Sequence, residues 1–201
     1  MSMDEILKRL DRIYASIDTA VEGDVTKFVP VVIQNKESYG IYQDFRGGLN
    51  DAELSNLAYS VIHNIANFRA YLDRWAEHNG HDKNHIERVF SNSLPLQIIT
   101  DLSNYEKHPY PPRNGGHSRK SPKLGGIKRI LRLTTGVGPG SGVAITLTPQ
   151  GPLVFGTGST NVIVTAQVLD SKGALIGDLY GLELEALEAW EQELRNLKLL
   201  T

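Results

Sequence analysis

NDAELSNLAYSVIHNIANFRAYLDRWAE, residues 50–77, places apolar side chains at Leu54, Leu57, Val61, Ile65, Phe68, Leu72 and Trp75. Every step is three or four residues, the spacing that lines up one face of an α-helix. Asn50 or Asp51, just ahead of the stripe, offers a side-chain oxygen to the free N–H groups of a first helical turn. His78-Asn79-Gly80 ends the pattern, glycine being the residue that best tolerates the left-handed turn after a helix. The rest of the chain is read outward from this segment.

Toward the N-terminus, residues 3–21 predict a second amphipathic helix on Ile6, Leu10, Ile13, Ile17 and Val21, with Gly23 as its stop. Between the two helices, Phe28, Val29, Val31, Val32 and Ile33 form a β-branched run, and Tyr39, Ile41 and Phe45 follow a polar interval. That predicts a hairpin or extended arm, with Pro30 at an edge because proline cannot donate to a ladder. Toward the C-terminus, residues 82–91 predict a short helix. Ser93-Leu94-Pro95 opens another that carries Ile98, Leu102 and Tyr105 and must end near Pro109.

Beyond Pro109 the periodicity changes. Residues 109–126 are rich in Pro, Gly, Ser and basic side chains and predict a loop long enough to invite a functional reading. Segments 127–135, 143–148, 153–155, 161–169 and 174–179 are short, rich in Val, Ile and Thr, and bounded by turn residues. Val143, Ile145 and Leu147 alternate along one face, as do Val162, Val164, Ala166 and Val168, which is the pattern of half-buried antiparallel strands. A last helix follows on Leu184, Leu187, Trp190, Leu194 and Leu197. The expected fold is therefore α+β in a single domain over 1–201. An antiparallel helical bundle (1–108) and a basic loop (109–126) precede a four- to five-stranded antiparallel β-meander closed by a C-terminal helix (127–201).

Composition narrows the chemistry. There is no cysteine, so disulfides, thiol nucleophiles and cysteine-based metal centres are excluded. The absence fits a reducing, cytoplasmic setting, and residues 1–23 lack the basic-then-apolar order of a secretory signal. No apolar run reaches membrane-spanning length. Net charge is −2, unevenly placed: residues 107–169 contain no Asp or Glu and carry +8, while 1–106 and 170–201 carry −6 and −4. Such asymmetry hints at an anionic partner.

Three groupings could carry chemistry. Asp101, Tyr105 and His108 lie on one line of the helix before Pro109, with Asn104 beside them. Arg69 falls within the apolar arc of the long helix, where a charge needs a partner. The economical expectation is a structural ion pair between Arg69 and Asp101, and the sharper one has Asp101 orienting His108 as a general acid or base. In and around the loop, Lys107, Arg113, His117, Arg119, Lys120 and Lys123 could contact phosphates, with Tyr110 stacking on a base. Finally, His78, His81 and His85 straddle a helix junction where they need not converge, so no metal site and no cofactor is expected. The glycines of 136–142 match neither phosphate-binding fingerprint, lacking the strand-then-helix setting those need.

The run LQIITDLSNYEKHPYPP, residues 96–112, resembles a signature of uncharacterised bacterial proteins that join a helical bundle to a β-meander. That likeness implies the architecture and carries no activity. The helical half also resembles, more loosely, the HEPN superfamily of small helical domains, many of them RNases of toxin–antitoxin and phage-defence systems. Their mark is an Arg followed shortly by His on one helix. Here Asp101, Leu102 and Ser103 stand where that Arg would precede His108. Arg74 and His81 are suitably spaced, but Gly80 intervenes and Trp75 follows the Arg. On this resemblance the catalytic candidates are Asp101, Asn104 and His108. The leading expectation is a non-catalytic interaction module that binds nucleic acid or an acidic partner through the basic loop and sheet. The alternatives are an assembly protein, dimerising through its acidic helices, and a HEPN-like RNase.

Overall fold

The computed structural model describes residues 2–108 and 113–200. Helix α1, Met3–Ala20, opens with a capping box in which the Glu5 amide donates to Ser2 Oγ and the Ser2 amide to Glu5 Oε2. It buries Ile6, Leu10 and Ile13. The helix stops three residues before Gly23, because Val21–Glu22 turn extended as strand β1 and pair with Ile163 and Val162. The expected arm is a hairpin, β2 Val31–Gln34 with β3 Tyr39–Tyr42, turned by Asn35, whose side-chain oxygen accepts from the Glu37 and Ser38 amides.

Helix α2, Asp51–Asn79, starts at an Asn50/Glu53 capping box and ends at Gly80, whose φ of +71° is the left-handed conformation glycine accepts without strain. It runs for 29 residues, roughly 43 Å at 1.5 Å per residue. Helix α3, Lys83–Asn92, is capped by Asp82, and α4, Leu94–Lys107, by Ser93. Helix α5, Leu179–Asn196, is capped by Asp178 and closes the fold. Its buried line is Leu179, Leu182, Ala186, Leu187, Trp190 and Leu194; the expected stripe member Leu184 faces outward.

The β half is not one meander. After the short strand β4, Lys123–Leu124, come β5 Lys128–Thr134, β6 Val143–Thr148, β7 Gly151–Gly156, β8 Ser159–Thr165, β9 Gln167–Leu169 and β10 Leu175–Asp178. They form small antiparallel sheets. One is ordered β1-β8-β5 and another β10-β9-β4, while β6 and β7 pair only with each other. Strands β5 and β8 pair directly, Lys128 opposite Thr165 through Thr134 opposite Ser159. The β6–β7 hairpin is thus an insertion between partners. The physical reason is burial: Val162 to Ala166 are all buried, so β8 must be central and flanked on both sides. Leu147, Leu153, Val154 and Phe155 on the inserted hairpin remain exposed.

The single strand expected over 161–169 breaks at Ala166. There the carbonyl accepts from Leu179 at the start of α5, at 2.8 Å, and leaves the ladder. One main core unites the helices with Val164, Ala166 and Val168 of the β half. At its centre the Phe68 and Trp190 rings meet edge to face, 6.2 Å between centroids. A smaller cluster of Val25, Phe28 and Val162 seals the other end of β8. No described helix is long and apolar enough to cross a membrane.

Candidate anion-binding groove

Tertiary packing disperses the groups that the sequence pointed to. Asp101 is 3% exposed and accepts three hydrogen bonds from the loop: the His117 amide at 2.8 Å, the Ser118 amide at 2.8 Å and the Ser118 hydroxyl at 2.6 Å. It is a tether for that loop and does not reach Arg69. Gly116 makes the tether possible, since a Cβ there would lie 2.4–2.6 Å from the Asp101 carboxylate. Arg69 instead pairs with Glu87 on α3 and Asp73 on its own helix, its guanidinium 4.0 Å from the centre of the Phe90 ring. The expected Arg69–Asp101 pair is therefore absent: each charge is satisfied by nearer partners.

Asn104 and His108 are exposed, and no hydrogen bond joins them to Asp101; the His108 amide caps α4 on the Asn104 carbonyl. The basic residues take different neighbours: Lys123 sits over the Tyr105 ring, His117 packs edge-on against Phe90, and Lys107, Arg119 and Lys120 are exposed. Tyr110 lies outside the described residues, as does the Arg113 side chain. Arg129 and Arg132, three apart on β5, point to opposite faces of the strand, over Phe28 and Tyr180. Glu87, Glu22 and Asp170 stand among these cations and divide their field. His81 stacks on Trp75 and His85 turns to Glu193, so the histidines at the α2–α3 junction diverge.

A grouping the sequence reading passed over is His63, with Nδ1 2.8 Å from Ser103 Oγ and Nε2 3.3 Å from Glu106. Burial and the nearby Lys107 charge push the imidazole below its usual pKa. Serine, histidine and carboxylate resemble a nucleophilic relay, but Ser103 is 1% exposed. The arrangement therefore joins α2 to α4 and gives no substrate access.

The cations that do converge lie in the acidic half. Lys8, Arg9 and Arg12 share a face of α1, and Tyr71 and Arg74 meet them from α2, around a groove of about 490 Å³. A neighbouring 150 Å³ recess continues it with Asn64 and Asn67. The Arg9 guanidinium lies 4.0 Å from the centre of the Tyr71 ring and that of Arg74 at 6.0 Å, so one ring is shared by two forks. Among the described residues none of these four cations makes an ion pair. Glu5, the one carboxylate lining the groove, is committed to the Ser2 cap, and the hydrogen bond from the Ser2 amide holds its carboxyl below the usual range. Four positive groups and a bound carboxylate leave the groove strongly cationic. The signal legible in sequence was Lys8, Arg9 and Arg12 within one turn of a helix; Arg74 joins them only because α1 packs along α2.

Compared with known proteins, the chain matches no protein family, no curated protein and no solved structure.

Proposed function

We propose that the protein is an interaction module that binds nucleic-acid strands by their phosphates, with the α1–α2 groove as the contact surface. The carrying observation is the meeting of Lys8, Arg9, Arg12 and Arg74 with no ion pair among the described residues, beside the single carboxylate of Glu5. Three of the four are arginines, whose planar forks match phosphate oxygens two at a time, and Asn64 and Asn67 extend the donor row. An acidic protein is the other anion such a groove could take. Arginine predominance favours phosphate.

The test is fluorescence polarisation of labelled RNA and DNA across a salt series. With all four cations engaged, log affinity against log salt should fall with a slope of about −3 to −4, at roughly 0.7–0.9 per phosphate contact. Arg12→Ala with Arg74→Ala should halve that slope, while Lys120→Ala with Lys123→Ala should leave it alone. A reversed pattern would return the contact to the loop, and absence of binding at low salt would end the proposal.

Self-assembly is a second reading, favoured by one observation. Hairpin β2–β3 exposes Val31, Val32, Ile33, Tyr39 and Tyr42 on its two faces and leaves both edges unpaired. A two-stranded hairpin is marginal alone in water, and a second copy could extend it. Light scattering should then report a dimer that Ile33→Lys returns to monomer; a monomeric native protein across micromolar concentrations removes this reading.

A further inference from the structure

Glu193 is a carboxylate with 0% exposure in the middle of α5, a placement that costs free energy unless the charge is engaged. Both oxygens are engaged. Oε1 meets His85 Nδ1 at 2.5 Å, and Oε2 accepts from the Asn196 amide at 3.3 Å. The imidazole itself is 42% exposed and bears no other hydrogen bond among the described residues, which leaves Nε2 free. A buried carboxylate on Nδ1 fixes the proton there and presents the Nε2 lone pair outward, the arrangement of a positioned base.

That imidazole lines a groove of about 410 Å³ between α3 and α5. Val89 and Ala189 contribute an apolar surface, and Arg88, Asn92 and Gln192 supply polar groups. Arg88 spends only its Nε, on the Asn84 carbonyl at 3.3 Å, and keeps its terminal amines. A single imidazole without a second ligand does not make a metal centre, and no cluster of three metal-ligating side chains occurs among the described residues.

We infer that His85, held by Glu193, is a general base for hydrolysis of carboxylic esters carrying a short apolar acyl chain, bound between α3 and α5. His85 Nε2 takes a proton as the oxygen of a water adds to the ester carbonyl, and Arg88 faces the resulting oxyanion. The tetrahedral species collapses with cleavage of the bond to the alcohol oxygen, which recovers the proton from His85. Acid and alcohol leave, and no further reactant is needed. Glu193 acts as a positioning residue through the imidazole. The site is separate from the cationic groove, so its fate is independent of nucleic-acid binding.

The test uses the intact chain and p-nitrophenyl butyrate. Wild type should exceed an equal concentration of free imidazole. His85→Ala should lower kcat/KM by about 100-fold or more, the usual share of a positioned base. Glu193→Gln should lower kcat and leave KM unchanged, since the imidazole loses its positioning partner while the groove lining is kept. Should Glu193→Gln fail to fold, His85→Gln, altering a partly exposed side chain, carries the test with circular dichroism as control. A folded His85 variant as active as wild type overturns the inference, and so does a wild type no faster than imidazole.

Discussion

Glu183 lies among the apolar residues of α5 at 4% exposure, with Oε1 lacking any hydrogen-bond partner. Burial, helped by the nearby Asp178 charge, pushes its carboxyl well above the usual carboxylate pKa. The consequence for stability has a definite sign. Below the unfolded-state pKa both states hold the proton and nothing is lost; as pH rises past it, the unfolded chain releases a proton that the folded chain keeps, and folding weakens. Glu183→Gln should therefore match wild type near pH 4 and melt progressively higher than wild type toward pH 7, read from thermal denaturation at several pH values. Asp101 makes the opposite case, a buried carboxylate with every donor matched. Asp101→Ala leaves the His117 and Ser118 amides unmet, at about 1–3 kcal/mol for the buried Ser118 donor and less for the part-buried His117 one. Urea denaturation should register that loss, and hydrogen exchange should locate it in residues 115–121. The sequence marked Asp101 as a charge on an apolar edge, and that much was legible. Its partners were not, because the donors are backbone amides sixteen and seventeen residues away, and every residue type but proline carries one.

At the scale of elements, the helices follow from their own sequences. The caps Ser2, Asn50, Asp82, Ser93 and Asp178 each accept from a first-turn amide, and Gly80 ends α2 as its conformational freedom allows. Packing then divides elements of similar composition into two kinds. Phe68 on α2 is 1% exposed against Trp190, whereas Phe155 on the β6–β7 hairpin is 54% exposed. Phe68→Ala should cost about 3–5 kcal/mol by leaving a cavity. Phe155→Ala should stay within about 0.5 kcal/mol, as for a surface change. Equilibrium urea unfolding separates the two, and comparable losses would mean that the hairpin is covered in solution. Alternation identified β6 and β8 equally well as strands. It did not say that β8 would be central and β6 peripheral, because that choice depends on which strand the helices cover.

Across the whole molecule, charge counted along the chain and charge counted in space give different answers. The acid-free stretch of +8 is opened out by its own strands, with Arg129 and Arg132 on opposite faces of β5 and Glu22 and Asp170 brought alongside from other segments. The N-terminal half carries −6, yet it holds the one groove where Lys8, Arg9, Arg12 and Arg74 meet. What the sequence determined by itself was everything that depends on neighbours a few residues apart. That includes five helices, the cap of the longest, a hairpin or extended arm between the first two, the existence of the later strands and the α+β segregation. The physical reason is that helical and strand periodicity, capping and turn chemistry act over one or two turns of chain. Tertiary structure alone decided which strands pair, which partners Arg69, Asp101 and His85 take, and where positive charge accumulates. Those outcomes join residues far apart along the chain, Val21 with Ile163 and His85 with Glu193, and follow from which faces are buried together.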